Sequence, residues 1–158
     1  MTESNVDHLA GWRDLPDLYV RLKQDQLGYP PKKWEQLKAQ PTENPDVFVL
    51  KSIPFFARGL AYNDEVAATT SPEGYFPVFQ SVLKHSGYST IRLILNANED
   101  KDELVAFFTN AESMLEFDGR LVTLAIPKHR FEELSEYIFS EKERGRWDSE
   151  DGFLIIDS

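Results

Sequence analysis

Leu18, Val20 and Leu22 alternate with Tyr19 and Arg21, the period-two pattern of a strand with one face buried. Downstream, Gly28-Tyr-Pro-Pro predicts the opening of a short helix over Lys32–Lys38. Pro31 fits its first turn, where a missing N–H has no partner to lose, and Trp34 and Leu37 would form its inner face. Pro41 and Pro45 break the chain before a second strand, Val47–Lys51. The stretch from Ser52 to Val66 contains Pro54, Gly59 and Asn63-Asp64 and reads as a strongly curved β segment leading into a strand at Glu65–Thr69. Ser71-Pro-Glu-Gly reads as a turn, and Tyr75–Lys84, rich in aromatic and β-branched residues, as a further strand. Short strands with irregular Pro and Gly punctuation predict a small, partly closed barrel.

From Ser89 the periodicity is cleaner. Thr90–Leu95 reads as a strand, and Asp100 followed by Glu103 forms an N-terminal capping pattern. Leu104, Phe107, Phe108 and Ala111 then fall on one helical stripe. Met114–Phe117 and Arg120–Ile126 read as strands joined by Asp118-Gly119, a two-residue hairpin signal. Pro127 leads to a second helix carrying Phe131, Leu134, Ile138 and Phe139, with Gly145 as its stop. Ser149–Gly152 reads as a turn and Phe153–Ile156 as the last strand. The order strand-helix-strand-strand-helix-strand, with right-handed crossovers, places both helices on one face of a four-stranded sheet. The fold class expected is therefore α+β: a small curved β-barrel-like N-terminal part packed on a ferredoxin-like βαββαβ sandwich. The expected divisions are a flexible arm at 1–16, a β-rich part with one short helix at 17–88, and the βαββαβ part at 89–158.

Composition adds a charge asymmetry to this picture. The 158 residues are 41% hydrophobic and 13% aromatic, enough to bury a core, and the formal net charge is −10. Residues 1–95 hold 11 acidic and 10 basic side chains, whereas residues 96–158 hold 16 and 7, so nearly all the net charge lies in the second half. Such a charge repels phosphate backbones and anionic lipid, so neither nucleic acid nor membrane is the expected partner. There is no cysteine, which excludes disulfides, thiolate metal sites and thiol nucleophiles. No apolar run approaches membrane-spanning length and the first ten residues lack the apolar core of a secretory signal, so a cytoplasmic location is expected.

Two motifs carry a resemblance. Ser52-Ile-Pro-Phe-Phe-Ala-Arg-Gly-Leu-Ala-Tyr-Asn-Asp-Glu-Val, with Ser86-Gly-Tyr-Ser-Thr-Ile-Arg, resembles the bacterial family known as domain of unknown function 4265. The matching elements are Ile-Pro-Phe-Phe, a Gly-x-x-Tyr-x-Asp-x-Val turn and a Ser-Gly-x-Ser-Thr-x-Arg strand start. The likeness spans Val47 to Ile156 and implies a bacterial cytoplasmic protein, but no biochemical activity.

The candidate chemistry divides in two. Ser86, Ser89, Thr90 and Arg92, around Gly87 and next to His85, put hydroxyls beside a guanidinium and suit a carboxylate or phosphate ligand. Their structural reading is that the hydroxyls satisfy turn backbone while Arg92 pairs with an acid such as Asp64. His85 directly before Ser86 is poorly placed to activate it, and no Gly-x-Ser-x-Gly elbow is present. His8, His85 and His129 are scattered, and Asp148, Glu150 and Asp151 have no closing glutamate for a calcium loop, so neither metal nor cofactor is expected. Trp12, Trp34 and Trp147 suit either core packing or a partner anchor. With no catalytic constellation, the function expected is that of an acidic binding protein, most specifically an immunity protein. It would neutralise a basic toxin through Glu99, Asp102, Glu103, Asp148, Glu150 and Asp151. The alternative is a small-molecule-binding or enzymatic domain using Ser86, Ser89, Thr90 and Arg92 on an anionic ligand.

Overall fold

The structure, a computed structural model, describes residues 14–70, 74 and 76–155. Most of the expected arm with His8 and Trp12, most of the Ser71–Gly74 turn, and Ile156 lie outside the described residues.

Five strands, β1 (Asp17–Arg21), β2 (Trp34–Pro41), β3 (Val47–Leu50), β4 (Glu65–Thr70) and β5 (Pro77–Lys84), run as an antiparallel meander. A parallel pairing of Tyr19 with Val78 brings β5 back onto β1 and closes the barrel. Two register shifts in β4–β5 supply the bend that closure of so few strands requires. Leu18, Val20, Leu37, Leu50 and Val66 fill the interior at 5% exposure or less.

The helix expected over Lys32–Lys38 is instead the strand β2, with Glu35, Leu37 and Ala39 buried between exposed Trp34, Gln36 and Gln40. Trp34 and Leu37 therefore face opposite ways. A buried glutamate hid the period-two pattern, because alternation is read from apolar positions and Glu35 does not count as one. Lys38 Nζ and Ala39 N–H hold the carbonyls of Leu15 and Pro16, tying the end of the expected arm to β2.

The second sheet consists of β6 (Tyr88–Leu95), β7 (Met114–Asp118), β8 (Leu121–Pro127) and β9 (Trp147–Phe153) in the antiparallel order β7-β8-β6-β9. Helices α1 (Lys101–Asn110) and α2 (Phe131–Glu143) cover one face, the latter preceded by a 3-10 turn at Lys128–Arg130. This is the ferredoxin-like order. Asp100 caps α1 through Oδ1, which accepts from the N–H groups of Asp102 and Glu103. The β7–β8 turn is Gly119-Arg120, one residue later than expected, because Asp118 pairs with Leu121 and Gly119 alone takes positive φ at 63°. The last strand begins at Trp147, so Ser149–Gly152 is strand and not a turn. Its polar sequence belongs to an edge strand whose inward glutamate has a buried partner. Among the described residues no helix is long and apolar enough to cross a membrane.

Candidate functional site

The two faces of the second sheet differ in kind. Ile91, Leu93, Val122, Leu124 and Ile126 point to the helices and form the apolar core. On the opposite face, register places Glu116, Thr123, Arg92 and Glu150 side by side in one row across all four strands. Thr123 and Arg92 are fully buried in that row, as is Thr90 two residues along β6.

What buries them is the connection from β3 to β4, residues 51–64. It has no regular structure, contrary to the curved β segment expected. A buried backbone without a ladder still needs hydrogen-bond partners, and here side chains supply them. From the barrel, the Glu35 carboxylate accepts from the N–H groups of Phe55 (2.6 Å), Phe56 (3.1 Å) and Ala57 (2.8 Å). From the sheet, Glu116 accepts from Ile53 N–H at 3.2 Å, and Thr123 Oγ1 donates to the Pro54 carbonyl at 2.7 Å. Thr90 Oγ1 donates to the Leu60 carbonyl at 2.8 Å. Arg92 donates through Nε to Pro54 O (3.3 Å), through Nη2 to Ala57 O, and through Nη1 to Glu150 Oε1 (3.2 Å). The N–H of Gly59 bonds the carbonyl of Gly152 at 2.9 Å. A Cβ on Gly152 would lie 2.9 Å from Thr90 Cγ2 and 3.1 Å from Arg92 Cζ, so this position requires glycine for space.

Burial lowers the pKa of Arg92, against the pull of Glu150, and raises that of Glu116 to about 7, against the Ile53 N–H. A guanidinium begins so high that Arg92 remains charged. Glu116, in contrast, titrates near neutrality.

The remaining members of the anion-ligand cluster have internal partners as well. Ser86 Oγ donates to the Tyr62 carbonyl at 2.6 Å, and Ser89 Oγ accepts from Ile155 N–H at 2.8 Å. Asp64, fully buried, accepts from the N–H groups of Ala61 (3.0 Å) and Ser86 (2.8 Å) and lies 2.9 Å from His85 Nδ1. The His85 ring stacks on Phe153 with centroids 4.1 Å apart. The pairing expected between Arg92 and Asp64 is thus replaced by Arg92–Glu150 and His85–Asp64. Register decides this, since Glu150 sits directly across from Arg92. The cluster that sequence spacing brings together is the seam between the barrel and the sheet.

The acidic candidates separate into two groups. Glu99 forms a bidentate pair with Arg146, which also contacts Glu141 at 3.0 Å and the Tyr137 hydroxyl at 2.9 Å, and Glu150 is held by Arg92. Asp102, Glu103, Asp148 and Asp151 are exposed. The Glu99–Arg146 pair fastens the start of α1 to the start of β9, so Asp102, Glu103 and Asp148 share one end of the sheet. Trp147 is core, its indole N–H bonded to the Ile138 carbonyl, whereas Trp34 lies half-exposed under Arg21. His129 pairs with Glu112, and among the described residues no group of three His, Asp or Glu side chains is placed to hold a metal.

Sequence reading missed two further features. Phe139 is 63% exposed on the outer face of α2, and Phe107 is exposed on α1, where it stacks on Tyr137. Helical spacing groups Phe139 with Phe131, Leu134 and Ile138, but its side chain points away from the core that Leu134 and Ile138 enter. Glu136 and Glu143 lie three and four residues either side of Phe139 and flank it on its own helix.

No curated protein matches the chain. The crystal structure of a hypothetical protein from Neisseria gonorrhoeae superposes with a TM-score of 0.74 at 21% identity, covering 89% of this chain and 95% of that one. That likeness establishes a shared fold. The model of the family described as "Domain of unknown function (DUF4265)" matches residues 35–149, from β2 with its buried Glu35 to the middle of β9, and the chain belongs to that family.

Proposed function

We propose that the protein is a cytoplasmic, stoichiometric binding protein, most specifically an immunity protein, whose helical layer and β9 edge capture a basic toxin domain. The observation that carries this reading is Phe139, an aromatic side chain 63% exposed on a helix with Glu132, Glu133, Glu136 and Glu143. A single large apolar group within a field of carboxylates combines an anchor for a partner's pocket with steering of its positive charge. Phe107, Asp102 and Glu103 extend the same layer onto α1, and Asp151 extends it to the open edge of β9, whereas Asp148, across from Ile94, lies at that edge on the opposite face of the sheet. Glu99 and Glu150 serve this surface indirectly, by holding its framework through Arg146 and Arg92.

The test is capture from a native bacterial host with the full chain and with Phe139→Ala and Glu136→Lys variants, followed by co-expression with whatever is retained. A basic protein bound one to one is expected, lost on both substitutions, and toxic to cells unless the wild-type chain is supplied. Phe139→Ala should weaken binding by about 2 kcal/mol or more, as truncation of a central aromatic anchor does. A partner held equally by wild type and both variants, or a partner harmless when expressed alone, would overturn the reading.

A further inference from the structure

We propose that the mouth of the barrel binds a small planar ligand bearing a phosphate group, of the nucleoside or aryl phosphate class. A cleft of about 320 Å³ opens there between the end of β1, the turn at residues 25–30 and the connection that follows β3. That volume lies at the lower end of the roughly 300–1,000 Å³ typical of ligand pockets. Phe56 and Phe79, which pack on the barrel core, line it together with Pro30. Tyr29 stands edge-on to Phe56, with centroids 6.2 Å apart at 71°. The cleft thus offers aromatic surface on which a flat ring can stack.

The rim is cationic. Arg21, Lys23 and Arg58 line the cleft, and Lys33 lines a shallower depression that shares Arg21 and Lys23 with it. The Lys32 ammonium lies 5.4 Å from the centre of the Phe56 ring. Among the described residues Lys23 and Lys33 have no carboxylate at ion-pair distance, and Arg58, 69% exposed, reaches Glu150 at 3.6 Å. The acid in the lining, Asp25, is turned to its own loop: its Oδ1 accepts from the N–H groups of Leu27 (2.8 Å) and Tyr29 (3.0 Å). So many cations around one small opening suit a dianion better than a monocarboxylate, and the aromatic lining asks for a planar body rather than a bare ion. The net charge of −10 does not forbid this. At physiological salt, charges beyond about 8 Å are largely screened, so the local cations decide.

Titration calorimetry of the full chain with adenosine 5′-monophosphate tests the assignment, with inorganic phosphate and adenosine as the two halves of the probe. One saturable site is expected, with each half roughly 10-fold or more weaker than the whole. Lys23→Glu and Arg58→Glu, both at exposed side chains, should each weaken it roughly 5-fold or more, while Lys142→Glu on α2 leaves it unchanged. Absence of saturation at millimolar nucleotide, inorganic phosphate binding as tightly as the nucleotide, or equal loss in Lys142→Glu would each overturn the proposal. A single-stranded oligonucleotide binding about 100-fold tighter than the nucleotide would overturn it too, in favour of an extended ligand.

Discussion

Glu116 lies half-buried at the end of the polar row, accepting from Ile53 N–H within the field of the buried Glu35 carboxylate. Burial raises its pKa from 4.5 to about 7. Between those values the folded state binds the proton and the unfolded state does not, so this carboxyl destabilises the fold progressively as pH rises from 4.5 to 7. The cost is absent below that window and complete above it. The shift corresponds to about 3 kcal/mol in total. Glu116→Gln keeps an acceptor for Ile53 and removes the titration. Urea unfolding of both proteins should show wild type gaining about 2–3 kcal/mol relative to Glu116→Gln as pH falls from about 8 to 5. A stability difference independent of pH would mean that the carboxyl is ordinarily ionised in the fold.

At the scale of elements, the connection from β3 to β4 is held from both sides, and Glu35 is its largest single support. Glu35→Ala leaves three N–H groups without their acceptor, at about 1–3 kcal/mol for each one that water cannot reach. An overall loss of about 3–5 kcal/mol is expected in denaturant unfolding. Glu35→Gln, which retains one acceptor oxygen, should lose less, and equal losses would show that charge rather than acceptor count matters. The same elements show how far the sequence was legible. The apolar alternation of β1 and the helical stripes of α1 and α2 were readable because their buried positions are hydrophobic. β2 and the polar half of β9 were not, because Glu35, buried, and Glu150, half-buried, are inward-facing acids whose partners lie 20 or more residues away. Spacing alone put Thr90 and Arg92 on one face, correctly. It could not supply what that face meets, since the row Glu116–Thr123–Arg92–Glu150 exists only once three strand pairings have set their registers.

For the whole molecule, the decisive feature is that among the described residues barrel and sheet keep separate apolar clusters and grip one irregular segment between them. The two hydrophobic cores are separate, and the seam is held chiefly by hydrogen bonds from Glu35 on one side and from Thr90, Arg92, Thr123 and Glu116 on the other, with the Gly59–Gly152 bond and the His85–Phe153 stack beside them. Since the barrel core includes Ala57 and Leu60 from that segment, loosening the seam loosens the barrel, and the two halves should unfold as one. Tryptophan reports on each half, with Trp34 in the barrel and Trp147 in the sheet core. Fluorine NMR of fluorotryptophan-labelled protein should therefore show the native resonances of Trp34 and Trp147, assigned against Trp12 by substitution, disappearing at the same urea concentration. Thr90→Val with Thr123→Val keeps side-chain shape and both cores but leaves the Leu60 and Pro54 carbonyls without these donors, at about 2–4 kcal/mol together. Because that loss falls on the seam, the double variant should lose Trp34 order at lower urea than Trp147 order. Coincident loss of both signals in the variant would mean that the remaining contacts, those of Arg92, Glu116 and Gly152, suffice to couple the halves, and separate transitions in the wild type would mean that the seam never coupled them.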